Sequence, residues 1–172
     1  MKINYKIEGT PNSPVLIFSN SLGSEMMMWE GLLSYLLPYF RVLRYDTRGH
    51  GKSDGFTEKE EPTIKQLGTD VIDLMNDLKI ESAYFCGLSM GGLIGQWLGI
   101  NHPSRFKKIV LSNTGAKIGT DERWNDRIDT IAANGMHTIV DDTMERWFTN
   151  DFSATSPVVI AETKAMFLRS NT

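Results

Sequence analysis

From the N-terminus to Gly119 the apolar positions switch repeatedly between two periods. Ile3, Tyr5 and Ile7 are spaced by two, as in a strand with one exposed face at a sheet edge. Turn formers fill Gly9 to Pro14. Val15-Leu16-Ile17-Phe18 is then an unbroken apolar run of the kind that buried parallel strands show. Trp29, Leu32, Leu33, Leu36 and Leu37 recur at helical spacing up to Pro38, and Val42-Leu43-Arg44-Tyr45 predicts the next strand. Thr63 and Gln66 have the form of a capping box, and Ile64, Leu67, Val71, Leu74 and Leu78 follow at intervals of three and four. Ala83-Tyr84-Phe85-Cys86 predicts a strand, Met90 to Asn101 a helix stopped at His102-Pro103, and Ile109-Val110-Leu111 another strand. Alternating strands and helices imply an α/β fold, with a mostly parallel sheet and helices on both faces.

After Gly119 only the helical period remains. Thr120 can cap a helix carrying Trp124, Ile128 and Ile131 that stops at Gly135. A second helix carries Ile139, Val140, Met144 and Trp147, and Ser156-Pro157 opens a third. The expected organisation is an α/β core over residues 1–119 and a helical unit over 120–172.

Composition narrows the function. The 172 residues carry a net charge of -3 and no basic cluster, which argues against nucleic acid. The N-terminus lacks the apolar core of a signal peptide, and no apolar run is long enough to span a bilayer. Cys86 is the single cysteine, so no intramolecular disulfide forms, which fits a reducing compartment. A cytoplasmic protein is expected.

The candidate chemistry lies in "YFCGLSMGG", residues 84–92. An apolar strand runs into Gly-x-Ser-x-Gly, and a helix follows. That context fits a nucleophile elbow, in which a sharp turn lifts the Ser89 hydroxyl above the sheet. The other reading is a chance glycine-rich turn, although composition alone yields only roughly 0.1 such matches. Met90, first in the helix, would give one oxyanion N–H, and Leu22 in "IFSNSLG" the second.

"SNSLG", "DTRGHGKS" and "GLSMGG", in this order and spacing, resemble the α/β-hydrolase family, with the helical unit matching its cap. "LIFSNSLG", "LSNTGAKIGT" and "RWNDRIDTI" resemble the 3-oxoadipate enol-lactonases within it. The resemblance implies hydrolysis of 3-oxoadipate enol-lactone to 3-oxoadipate in the β-ketoadipate pathway, without metal or organic cofactor. It also implies a substrate carboxylate, for which Arg127 is a candidate partner, with Trp124 packing on the lactone ring. Solvated helix charge is the other reading of Arg127.

A serine nucleophile needs a base, and the base an orienting acid. His102 ends the helix that Ser89 opens, roughly 15–20 Å away. His137 lies in the cap. His50, in "RGHGKS", precedes the nucleophile, and the family resemblance makes that histidine structural; Asp46 and Arg48 are expected to fix the loop after their strand. The resemblance places the triad acid and histidine beyond the cap, where this chain stops. The expectation is therefore the first part of a hydrolase, as a fragment, a truncated form or one half of a split protein, inactive alone. Its Ile109–Leu111 edge would be exposed and able to associate with the missing part. Two alternatives stay open: another carboxylic-ester hydrolase of this fold, or a non-catalytic lobe that binds a small acid or a partner chain.

Overall fold

The computed structural model describes residues 1–57, 59–60 and 62–169. They fall into two compact units, Met1–Ala116 and a second that begins at Lys117. In the first, β1 (Tyr5–Glu8), β2 (Val15–Ser19), β3 (Arg41–Tyr45), β4 (Ala83–Leu88) and β5 (Phe106–Ser112) form one sheet in the order β1-β3-β2-β4-β5. Only β1 runs antiparallel to its neighbour. The continuous apolar runs are the inner strands. Ile17, Leu43 and Phe85 have no exposed surface, and they pack with α2 (Ile64–Asp77) and α3 (Met90–Asn101) on one face of the sheet. The other face holds Leu16, Phe18 and Val42 under Trp29 and Leu33.

The capping box forms by half. The Gln66 N–H donates to Thr63 Oγ1 at 3.1 Å, but the Gln66 side chain turns to Asp70 Oδ1 instead. Asp70 is a buried carboxylate and needs every donor within reach. The apolar stripe expected from Trp29 to Leu37 is split between the end of a 3-10 helix, Met26–Leu32, and a single α-turn, α1 (Leu33–Leu36). Spacings of three and four fit either helix type over so short a span.

Edge strand β1 carries a charged device. Arg44 on β3 is fully buried, and its guanidinium donates to Glu30 Oε2 at 2.7 Å and to the Glu8 carboxylate. At the opposite edge, β5 leaves Val110 and Leu111 56% and 45% exposed.

The second unit contains α4 (Asp121–Asn134), a 3-10 turn (Met136–Ile139), α5 (Val140–Trp147), α6 (Asn150–Thr155) and α7 (Pro157–Leu168). Thr120 caps α4 through the Arg123 N–H, and Pro157 opens α7. The sequence pattern gives three helices here, and α6 is additional. It is mostly polar and depends on a local cap, the Phe152 N–H to Thr149 Oγ1 at 3.3 Å, with no apolar period to reveal it. Ile139, Val140, Met144 and Phe167 form a small core of this unit. Residues 170–172 of the expected cap lie outside the described residues.

Candidate active site

Ser89 sits where β4 ends and α3 begins, with φ 55° and ψ -112°. A non-glycine residue there costs about 1–3 kcal/mol, so the surroundings must impose the conformation. They do so through the backbone. The Ser89 N–H donates to Ser112 O at 3.0 Å. Ser89 O accepts from the Gly92 and Leu93 N–H groups and from Thr114 Oγ1. The glycines are sterically required. A Cβ on Gly87 would lie 2.1 Å from Gly91 O, and one on Gly91 would lie 2.2 Å from Ser19 O. Ser89 occupies the N-cap position, yet its side chain makes no cap bond. Its hydroxyl has no hydrogen-bond partner among the described residues of the first unit.

Two N–H groups near this turn are likewise uncommitted. Among the described residues, neither the Met90 nor the Leu22 N–H has an acceptor, while the Gly91 N–H between α3 and the β2 loop donates to Asn20 O at 3.0 Å. Met90 is the first residue of α3, so its N–H carries part of the positive end of the helix dipole. The loop after β2 reaches the elbow through Asn20, which is fully buried. Its amide donates to Tyr45 O at 2.8 Å, and its Oδ1 accepts from Trp29 Nε1 at 2.8 Å. Asn20 thus joins β2, β3, the helical segment and the elbow. Sequence reasoning passed over it. The available signal was a polar residue at the carboxyl end of a buried parallel strand, where sites in such sheets gather.

Asp46 and Arg48 hold the loop after β3. Asp46 accepts from the Met26 N–H at 2.8 Å, the Lys52 N–H at 3.0 Å and Asn4 Nδ2 at 2.7 Å. Arg48 grips Asp70 with two bonds, at 2.9 and 2.7 Å, and reaches Glu60 with a third. The Ser53 hydroxyl donates to Asp46 O at 2.7 Å. His50 Nε2 accepts from the Gly23 N–H at 2.9 Å, and burial pushes its pKa down. His102 caps the far end of α3 and packs on Trp97. Cys86 is half-buried among apolar side chains, and desolvation raises its pKa.

In the second unit, Trp124 lies on α4 and its indole donates to Ile118 O at 2.6 Å. Arg127 is half-buried with no carboxylate partner among the described residues. Burial, and then the nearby Arg146, lower its pKa. His137 lies in the 3-10 turn before α5. Among the described residues no group of three or more His, Cys, Asp or Glu is placed to hold a metal, and no helix is long and apolar enough to cross a membrane. A hollow of about 500 Å³ lined by Met75, Lys79, Glu81 and Arg105 lies at the start of β4, at the opposite end of that strand from Ser89.

A mostly parallel sheet flanked by helices, with a strained serine where β4 turns into α3, places the chain among α/β folds. The chain belongs to the α/β hydrolase fold family, whose model matches residues 14–160. It is 45% identical over 150 residues to 3-oxoadipate enol-lactonase 1 of Acinetobacter baylyi and 44% identical over 158 residues to 3-oxoadipate enol-lactonase 2 of the same organism. These alignments cover 87% and 92% of this chain but 55% and 58% of the relatives. The crystal structure of the enol-lactonase from Burkholderia xenovorans superposes with a TM-score of 0.93 at 44% identity. It covers 98% of this chain and 65% of that one. The chain therefore spans a little over half the length of the curated relatives it matches.

Proposed function

We propose that this chain carries the nucleophile and oxyanion donors of an enzyme that hydrolyses 3-oxoadipate enol-lactone to 3-oxoadipate in the cytoplasmic β-ketoadipate pathway. The observation that carries the reading is Ser89: strained, held by its neighbours and left with an uncommitted hydroxyl. The similarity to enol-lactonases supplies the substrate. In this reading Ser89 Oγ attacks the lactone carbonyl carbon and gives its proton to a base. The Leu22 and Met90 N–H groups receive the oxyanion. Collapse of the tetrahedral species breaks the ring C–O bond. The ring oxygen leaves as the enol and takes up a proton, and the enol goes on to the ketone. Water then hydrolyses the acyl-serine. Among the described residues no imidazole of the first unit is hydrogen-bonded to Ser89, which supports a reading in which the base is supplied from outside that unit.

Arg127 is the residue we assign to the substrate carboxylate. A half-buried guanidinium beside a second cation, and without an acid partner among the described residues, gains most from an anion. Turnover of the enol-lactone and of a neutral aryl ester tests both assignments, in the chain and in the chain joined to the C-terminal part of a relative. The lactone is expected to be preferred by about tenfold or more in kcat/KM. Arg127→Ala is expected to raise KM for the lactone about tenfold and to leave the neutral ester unaffected. A preference for the aryl ester would favour the general ester hydrolase.

A further inference from the structure

We propose that His50 is a positioning residue of the oxyanion site: its neutral imidazole holds the Leu22–Gly23 peptide and thereby aims the Leu22 N–H. The inference rests on the assignment of Leu22 as an oxyanion donor, and so on the hydrolase reading above.

The geometry is local. Ser21 to Ser24 is a tight turn in which the Ser24 N–H and hydroxyl both donate to Ser21 O, at 3.2 and 2.8 Å. Gly23, third in the turn, has φ 77°, the left-handed conformation that type II turns place there. Because the peptide is planar and trans, fixing Ser21 O also points the Leu22 N–H the opposite way. The next peptide, between Leu22 and Gly23, has its N–H donated to His50 Nε2 at 2.9 Å. Leu22 is thus pinned between two fixed planes. Downstream, the Met26 N–H is tied to Asp46 Oδ1. A donor fixed before the reaction needs no reorganisation when the oxyanion forms, which is where such groups gain their effect.

Of these anchors only His50 can change state near neutral pH. Its Nδ1 lies 3.2 Å from Arg48 O and so carries the proton, which leaves Nε2 bare to accept from Gly23. A second proton would have to sit on Nε2, donor against donor. Burial opposes it, while the carboxylates of Asp46 and Glu25 favour it, and burial is the larger effect. The folded pKa therefore lies below the ordinary histidine value of about 6.5. Below that value the unfolded chain binds a proton that the fold resists, so stability falls on acidification. The Gly23 anchor is lost as pH drops through the lower, folded pKa.

Hydrogen exchange at the Gly23 amide tests this without any substrate. At about pH 7.5, His50→Ala is expected to speed Gly23 exchange about tenfold or more, while the amides of Val42 to Tyr45 on β3 keep their protection. His50→Gln is expected to retain Gly23 protection, because its Oε1 can stand where Nε2 stood. As the pH falls through the folded-state titration of His50, the wild-type protection factor at Gly23 should fall about tenfold and that of His50→Gln should not. Gly23 protection that is unchanged by pH in the wild type and equal in the His50→Gln chain at the lower pH would overturn the proposal. If His50→Ala also loosens β3, that comparison alone decides. In turnover, the His50→Ala loss should fall on kcat with KM retained. A Ser89→Ala chain that keeps its turnover would defeat the hydrolase reading and leave the exchange result standing.

Discussion

Ser89→Ala is expected to lower hydrolysis of the enol-lactone by about three orders of magnitude or more in kcat, with KM little changed, wherever Ser89 is served by a base. The substitution removes a hydroxyl that is carried on a strained backbone and has no hydrogen-bond partner among the described residues of the first unit. The fold should tolerate it, because the Ser89 hydroxyl makes no hydrogen bond there, and the N–H and carbonyl that hold the turn remain. Covalent labelling by a serine-directed phosphonate should disappear in parallel. The separation of effects matters: a loss of rate with unchanged unfolding behaviour identifies a nucleophile, whereas a loss of both identifies a structural residue. An Ala variant within tenfold of the wild type would remove Ser89 from the mechanism.

The second large effect is on stability. Arg48→Ala is expected to cost about 3–5 kcal/mol, a large part of the 5–15 kcal/mol that holds an ordinary domain together. Arg48 and Asp70 are 5% and 3% exposed and share two hydrogen bonds. Removing the guanidinium leaves a buried carboxylate with only the Gln66 amide as a recorded donor among the described residues. It also frees the loop that carries Asp46 and His50. Urea unfolding of the variant gives the number, and Arg48→Met with Asp70→Leu should recover much of it, since no charge is then stranded. A midpoint unchanged by Arg48→Ala would mean that the pair is solvated in solution.

The parts of this molecule that could be read from the sequence are those in which short-range order and burial agree. Val15–Phe18 and Ala83–Cys86 are apolar because both faces of their strands are covered, and that leaves a run visible in the sequence. Gly87 and Gly91 announce the elbow because no other residue fits where backbone atoms come within 2.2 Å of a would-be Cβ. What could not be read depends on partners far along the chain. Nothing local to Asn20 says that its amide will join two strands and an indole, and nothing local to His50 says that it will meet Gly23. The 3-10 character of Met26–Leu32 is hidden because both helix types place apolar residues three or four apart. In α4 an apolar period is present, yet no residue of the helix is buried and Ile128 stays 58% exposed. Periodicity reports which face could be covered, and the degree of cover is settled elsewhere.

The buried Arg44 bears on how the chain finds its strand pairing. β1 is four residues long and forms an outer edge of the sheet, so its own apolar contacts specify its alignment weakly. In the native pairing Glu8 sits opposite Val42, close enough for its carboxylate to meet the Arg44 guanidinium. A slip of one residue would turn Glu8 to the other face and leave Arg44 with Glu30 alone, a buried cation with half its compensation gone. The same geometry that satisfies Arg44 in the native register thus disfavours a slipped one, because the slip would strand part of a buried charge.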